Sequence, residues 1–225
     1  MNLLVFDSST ATGSVAVIAA GVVRAELTLS VQRTHSEHLM PAVAEVVALS
    51  GLNVRQLEAI GVGTGPGSYT GIRIALGTAL GLGYALQIPV VGISTLDILA
   101  AGLWPARGEI IALLDARKNE VYCGVYRCLN TAPYLERQHP LQVVTVERLP
   151  KLLTEETALF VGPGALLHRQ EVQGLCGQRA VFAPAALAYP QALRLGFLAQ
   201  AKLAQGLDSF DPTAVQPIYL RRAYV

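Results

Sequence analysis

The sequence is poor in charged residues and has no strong excess of either sign. Of its 225 residues only 15% are charged, and the formal net charge is +1, whereas about 25% is typical of soluble proteins. A balance so close to zero argues against long-range attraction to nucleic acid or to acidic membranes. Because 52% of the residues are hydrophobic, we expect extra surface to be covered in an oligomer or complex.

Cysteine and histidine are also scarce, which excludes several kinds of site. The three cysteines show no CxxC spacing, which argues against a zinc site or a disulfide scaffold and indicates a reducing, cytoplasmic compartment. They also have no histidine nearby that would activate a catalytic thiol. His35 and His38 flank Glu37, but this spacing is neither HExxH nor HxxEH. No metal site is predicted.

Targeting and membrane signals are missing as well. The start MNLLVFDSS has no basic region and reaches Asp7 too early for a signal peptide. Residues 74–96 carry no charge, but Gln87, Pro89 and several glycines interrupt the run. We therefore interpret it as helix, turn and strand and expect no membrane span.

Hydrophobic periodicity predicts two α/β lobes. The first, residues 1–104, begins with a three-strand antiparallel meander and continues with alternating helices and strands. Its predicted elements are strands at 2–7, 14–19, 22–30, 58–63 and 89–93, and helices at about 39–49, 72–86 and 95–103.

The second lobe, residues 105–225, is predicted to be smaller and less regular. We expect a hairpin and two further strands, at 109–116, 120–128, 141–146 and 158–162. Residues 165–188 are only weakly patterned. The amphipathic helix at 189–205 is expected either in this lobe or packed back on the first.

The start of the first helix is ambiguous. Thr34 and Glu37 match a capping box, but Pro41 removes one intrahelical hydrogen bond. Either the helix begins near Leu39 or it is kinked at the proline.

The glycine-rich loop at 63–71 allows two interpretations. It resembles a phosphate-binding loop at a helix N-terminus, but it lacks the Lys-Ser/Thr pair of a P-loop and the acidic residue of a dinucleotide site. The alternative, a tight strand-to-helix turn, is favoured. Asp7, Gly65 and Gly67 are the weak candidates for nucleotide contact.

The helix after this loop carries a single charge, Arg73, and a stripe of small residues at Gly77, Gly81 and Ala85. Glycine inside a helix costs about 1 kcal/mol, which close approach of another element would offset. We expect every face of this helix to be buried. The cover is either a copy of the chain, another protein, or the chain's own 39–49 helix.

Five segments carry a resemblance to a known family: VFDSST, RTHSEHLMPAV, VGTGPGSYTGIRIALGTALGLGYAL, IPVVGISTLDILA and LLDARKNEVY. Together they resemble the TsaB (YeaZ) family over residues 1–126, and the ending PIYLRR also matches. The resemblance implies the actin/hexokinase-like ATPase fold, with two lobes and a three-strand antiparallel meander extended by parallel strands with flanking helices.

The resemblance also implies a function. It suggests a non-catalytic partner subunit needed for threonylcarbamoylation of the adenosine beside the anticodon in tRNAs reading ANN codons. The expected partners are the catalytic paralogue TsaD and the ATPase TsaE, with a homodimer when TsaD is absent and tRNA reached through the complex. TsaD carries two metal-binding histidines where this chain has Thr95 and Leu99. No cofactor is expected; the alternative is an ATP-binding phosphotransferase or ATPase acting on its own.

In that family TsaD binds through the first-lobe helices, which suggests the contact residues here. The expected contacts are His38, Leu39, Ala42, Arg73, Gly77, Leu80, Gly81, Tyr84 and Ala85. Direct contact with tRNA is left open by the sequence, where Arg117-Lys118 and Arg221-Arg222 are small local exceptions to the near-neutral charge.

Overall fold

The structure is a computed structural model, and it describes residues 1–30, 35–131, 134–206, 211 and 215–221. Thr34, the expected capping residue, and Arg222 lie outside the described residues. The chain forms two compact units: Met1–Ile98 with Pro190–Ile218, and Leu99–Tyr189 with Tyr219–Val225. The lobe boundary near Trp104 stays a prediction.

Unit 1 is built on a five-stranded mixed sheet with strand order β3-β2-β1-β4-β5. The first three strands form the antiparallel meander, and β4 and β5 extend it in parallel with β1. The strands are β1 (Asn2–Asp7), β2 (Thr12–Ala19), β3 (Val22–Ser30), β4 (Ala59–Gly63) and β5 (Val90–Ile93).

Helices connect the parallel strands, as a parallel sheet requires. The helices of this part of the chain are α1 (His35–Leu49), α2 (Tyr69–Leu86) and α3 (Thr95–Ala101). Helix α1 runs through Pro41, so the expected later start near Leu39 is wrong. The proline is exposed, on the side of the helix away from the core.

Alternation along β1 explains how both faces of this sheet are covered. Leu4 and Phe6 belong to the core that α1 and α2 pack against. Val5 faces the other side, where it lies close to Gly61 and Gly196. Helix α6 (Ala192–Leu203) covers that side and packs on β1, β2 and β5. Because successive strand residues point to opposite faces, the nearly continuous apolar run at 2–7 fits a strand buried on both sides.

Unit 2 contains a six-stranded sheet with the order β11-β10-β6-β7-β8, and β9 pairs with β7. Its strands are β6 (Glu109–Asp115), β7 (Glu120–Cys128), β8 (Leu135–Arg137), β9 (Gln142–Thr145), β10 (Ala158–Val161) and β11 (Ala180–Phe182). Two short helices, α4 (Pro163–Leu167) and α5 (Arg169–Cys176), follow β10. In the part of the chain that the structure describes, no helix is long and apolar enough to cross a membrane.

Cys123 lies in the core of unit 2 and gives its stability a pH dependence. Burial raises the pKa of the Cys123 thiol from 9.0 to about 12, and the nearby Glu109 adds to the shift. The buried thiol therefore stays protonated at a pH where the thiol of the unfolded chain ionises.

We predict that the ionisation of this thiol in the unfolded chain lowers the free energy of unfolding by about 1.4 kcal/mol per pH unit between pH 9 and 12. The variant Cys123→Val should lack this part of the pH dependence. Urea unfolding of both proteins at several alkaline pH values measures the difference. Parallel pH profiles for the two proteins would contradict the prediction.

Candidate functional site

The glycine loop between β4 and α2 packs directly on the loop between β1 and β2. The Ser68 amide donates to the Ser9 carbonyl oxygen at 2.7 Å, and the Ser8 hydroxyl donates to the Gly71 carbonyl oxygen at 2.9 Å. A Cβ atom at Gly67 would overlap the Ser9 carbonyl oxygen, and one at Gly71 would overlap that of Ser8. These two glycines are needed because two backbones approach each other closely.

Asp7, at the end of β1, anchors a buried cluster of hydrogen bonds. Its carboxylate accepts from the Ser9 amide at 3.1 Å and from the Ser9 hydroxyl at 2.8 Å. The Thr95 hydroxyl in turn donates to Ser9 Oγ at 2.9 Å. A Cβ atom at Gly63 would overlap the Asp7 carboxylate. Bonds made within the fold thus offset the burial of this carboxylate.

The structure brings the three weak candidates for nucleotide contact into one region. Gly67 packs on Ser9, which is bonded to Asp7, and the Gly65 carbonyl oxygen accepts from the Thr95 amide at 2.8 Å. Gly65 has a φ of +91°, and a Cβ atom there would press on the Ile72 side chain. These contacts all serve the chain's own packing, which favours the structural turn, while nucleotide contact stays a prediction.

The two residues that the resemblance places where the paralogue has its histidines are both fully buried. Thr95 and Leu99 are each 0% exposed, and the Thr95 hydroxyl belongs to the Asp7 cluster. Neither a threonine used in this way nor a leucine offers a nitrogen ligand for zinc or iron. Within the described ranges, no group of three or more His, Cys, Asp or Glu residues is placed to hold a metal.

Helix α2 has one buried face and one exposed face. Ile72, Ala75 and Ala79 pack into the core of unit 1. The opposite side, which we call the bare face, is exposed along the whole helix, and Leu80 beside it is half-buried. The bare face consists of Arg73, Gly77, Gly81, Tyr84 and Ala85. Among the described residues the chain leaves the bare face uncovered, and its burial by a second copy of the chain or by another protein stays a prediction.

Among the described residues, nothing packs against the two mid-helix glycines of the bare face. A Cβ atom at Gly77 or at Gly81 would meet no atom of these residues within 4 Å. Although α1 contacts α2 elsewhere, it does not cover these positions. Helix α1 therefore does not offset the loss of helix stability that Gly77 and Gly81 cause.

The bare face has aromatic and cationic side chains on both sides of its two glycines. The Arg73 guanidinium lies over the Tyr69 ring at 4.6 Å from its centroid, a cation–π contact. Tyr84 is 68% exposed and Tyr69 46%. Exposed tyrosines beside a shallow groove without side chains suit a second helix that lays its side chains along α2.

Helix α1 contributes less to this surface than its sequence suggests. His38 is exposed, and Met40 is 45% exposed. Leu39 and Ala42, which were expected among the partner contacts, are each only 4% exposed and lie in the core of unit 1. They pack α1 against the core, because their place in the helical repeat puts them on its inner side, and little of either side chain is exposed to a partner.

Comparisons with known proteins match this chain to the TsaD family model and to TsaB proteins. The family model "TsaD: tRNA N6-adenosine threonylcarbamoyltransferase" matches residues 23–225. The tRNA threonylcarbamoyladenosine biosynthesis protein TsaB of Bacillus subtilis is 33% identical over 225 residues, which cover 99% of this chain and 95% of that protein. The relative from Haemophilus influenzae is 32% identical, and the match covers 98% of this chain and 94% of the relative.

Solved structures support the fold. YeaZ from Pseudomonas aeruginosa superposes with a TM-score of 0.85 at 30% identity, covering 97% of this chain and 99% of that one. Component A of (R)-2-hydroxyglutaryl-CoA dehydratase from Acidaminococcus fermentans shares only the fold, with a TM-score of 0.53 at 11% identity, covering 89% of this chain and 99% of that one. The actin/hexokinase-like fold class expected from the sequence is confirmed.

The two kinds of glycine in α2 give a matched stability test. Gly71→Ala should lower the free energy of unfolding by about 1–3 kcal/mol, because its Cβ atom meets a backbone carbonyl that cannot move aside. Gly77→Ala should raise it by up to about 1 kcal/mol, because the space is open and alanine favours helix. Urea unfolding measures both, and equal effects of the two changes would contradict this account of α2.

Proposed function

The chain belongs to the TsaB family, and on this basis we propose that it takes part in tRNA threonylcarbamoyladenosine biosynthesis in the cytoplasm. The relatives that match it over nearly their whole length carry that function in their names.

More specifically, we propose that the chain is a non-catalytic subunit that binds TsaD through the bare face of α2 and the exposed residues of α1. The observation that carries this proposal is the pair Gly77 and Gly81, exposed in mid-helix, where an added Cβ atom would have no atom of the described part of the chain within 4 Å. A partner helix lying there would make close contact with the α2 backbone, which would offset the cost of glycine in a helix.

The buried Thr95 and Leu99 support a non-catalytic role, since the metal chemistry of the paralogue would need histidines there. TsaE is expected to join the pair, and tRNA is expected to be reached through the complex. Without TsaD, the same apolar face would pair with a second copy of the chain, because Tyr84 and the neighbouring small residues would otherwise stay in water.

Gly81→Glu tests this docking face. A bulky charged side chain in mid-groove would block the approach of a helix, so we expect TsaD no longer to co-elute in gel filtration and tRNA modification in cells to be lost. Gly174→Glu is the matched control, because Gly174 lies in α5, is exposed and also has nothing within 4 Å of an added Cβ atom.

Both variants should unfold at nearly the wild-type temperature, since neither substitution meets a neighbour. If Gly81→Glu retains the complex and the modification, the face is assigned wrongly. If both variants lose them, the effect comes from glycine replacement in general and not from the face.

A second candidate function is ATP binding, with phosphotransfer or hydrolysis by this chain alone. It is favoured by the convergence of Asp7, Gly65 and Gly67 in one region, as a phosphate-binding site of this fold would require. The hydrogen bonds that Asp7 and Gly65 already make within the chain argue against it.

Calorimetric titration with Mg-ATP separates the two candidates. We expect no heat of micromolar binding and no hydrolysis by the isolated chain. Micromolar binding, with hydrolysis lost in Asp7→Asn while circular dichroism shows the variant folded, would instead favour the enzymatic function.

A further inference from the structure

The hairpin between β6 and β7 ends in three consecutive non-glycine residues with left-handed backbone conformation. Arg117, Lys118 and Asn119 have φ values of +64°, +55° and +59°. Hairpin turns of this hand normally use Asn-Gly or Gly-Gly, because a Cβ atom disfavours the left-handed region. Here two of the three places hold long cationic side chains, and both are exposed. We call these three residues the basic tip.

The surrounding chain fixes the backbone of the basic tip from several directions. Asp115 Oδ1 accepts from the Arg117 amide at 2.7 Å. The Asn119 side-chain amide donates to Glu147 at 3.0 Å and to Glu171 at 3.1 Å. The Asn119 carbonyl oxygen accepts from the Val146 amide at 3.2 Å.

A second clamp acts from the end of the described chain. Arg221 donates to the Ala116 carbonyl oxygen at 2.6 Å and pairs with Glu120. The four carboxylates around the basic tip, those of Asp115, Glu120, Glu147 and Glu171, thus each bind a donor of this chain. Together these contacts hold a strained turn in one shape.

From this geometry we propose that the basic tip contacts the phosphate backbone of RNA. Strained backbone persists where its surroundings over-determine it, and such places cluster at functional sites. Protein interfaces rely on buried aromatic and apolar anchors, and the tip presents none. Lysine and arginine on a rigid turn suit phosphate groups, because phosphates are bound through charge and hydrogen bonds and need no apolar pocket.

The inference rests on the proposed function, in which tRNA is the substrate of the complex, and it adds a direct contact by this subunit. Because the chain as a whole is nearly neutral, the contact would involve few phosphates. The tip would therefore position the tRNA without supplying most of the affinity.

The test uses the reconstituted complex of this chain with TsaD and an unmodified tRNA, with binding followed by fluorescence anisotropy at several salt concentrations. The double variant Arg117→Ala/Lys118→Ala should weaken tRNA binding several-fold. It should also make the affinity less dependent on salt, reducing the magnitude of the negative slope of log K against log salt by about 1–2. The variant Arg117→Lys/Lys118→Arg keeps both positive charges and should therefore show the wild-type tRNA affinity and salt slope. The matched control is Arg148→Ala/Lys151→Ala, exposed cations in the same unit.

A separate measurement tests the strain. Lys118→Gly should raise the midpoint of thermal unfolding by roughly 2–4 °C while weakening tRNA binding. Opposite changes in stability and binding are what a strained functional turn requires, and a merely structural turn would gain stability without any loss of binding.

Unchanged tRNA affinity and salt slope in the Arg117→Ala/Lys118→Ala variant would overturn the inference. Loss of TsaD co-elution in that variant would overturn it too, since the tip would then contact protein. Failure of the wild-type chain to assemble with TsaD would instead refute the proposed function, and the inference with it.

Discussion

The close approach of two backbones at the start of α2 is the constraint on which much of unit 1 depends. Gly67 and Gly71 bring the glycine loop onto the carbonyl oxygens of Ser9 and Ser8, where no side chain fits. This contact sets where α2 begins and how it lies on the sheet. The rotation of the helix follows, and with it the set of residues that face the core and the set that face outward. The position of the bare face is thus a consequence of packing at the other side of the helix.

Glycine therefore serves two unlike purposes within one helix. At Gly71 the missing side chain makes room for the backbone at Ser8, whereas at Gly77 and Gly81 no atom of the described residues lies within 4 Å of an added Cβ atom. The second kind of glycine lowers helix stability, and no contact among the residues that the structure describes compensates for it. A protein that keeps such residues along one exposed line, beside an exposed tyrosine, has the features of a subunit whose packing is completed by another chain.

Sequence patterns predicted the elements of unit 1 well, because its strands are long apolar runs and its helices follow them closely. They failed in unit 2 for β8, β11, α4 and α5, each eight residues or shorter, too short for a periodic signal. They also misplaced side chains around helices. Leu39 and Ala42 were expected among the partner contacts and lie in the core of unit 1, since the direction of a helix face depends on tertiary packing. The left-handed Arg-Lys-Asn turn carries no glycine, and its conformation had no sequence signal.

Thr95 shows why the catalytic metal of the paralogue is not simply one substitution away. Its hydroxyl donates to Ser9, which donates to the buried carboxylate of Asp7, and its amide donates to Gly65 in the glycine loop. A histidine at this fully buried position would lose the hydroxyl and would need space that the cluster fills. Ser9 Oγ would lose the hydrogen bond that it accepts from Thr95, and such a loss is costly in a buried site. Thr95 thus helps to fix the loop from which α2 starts.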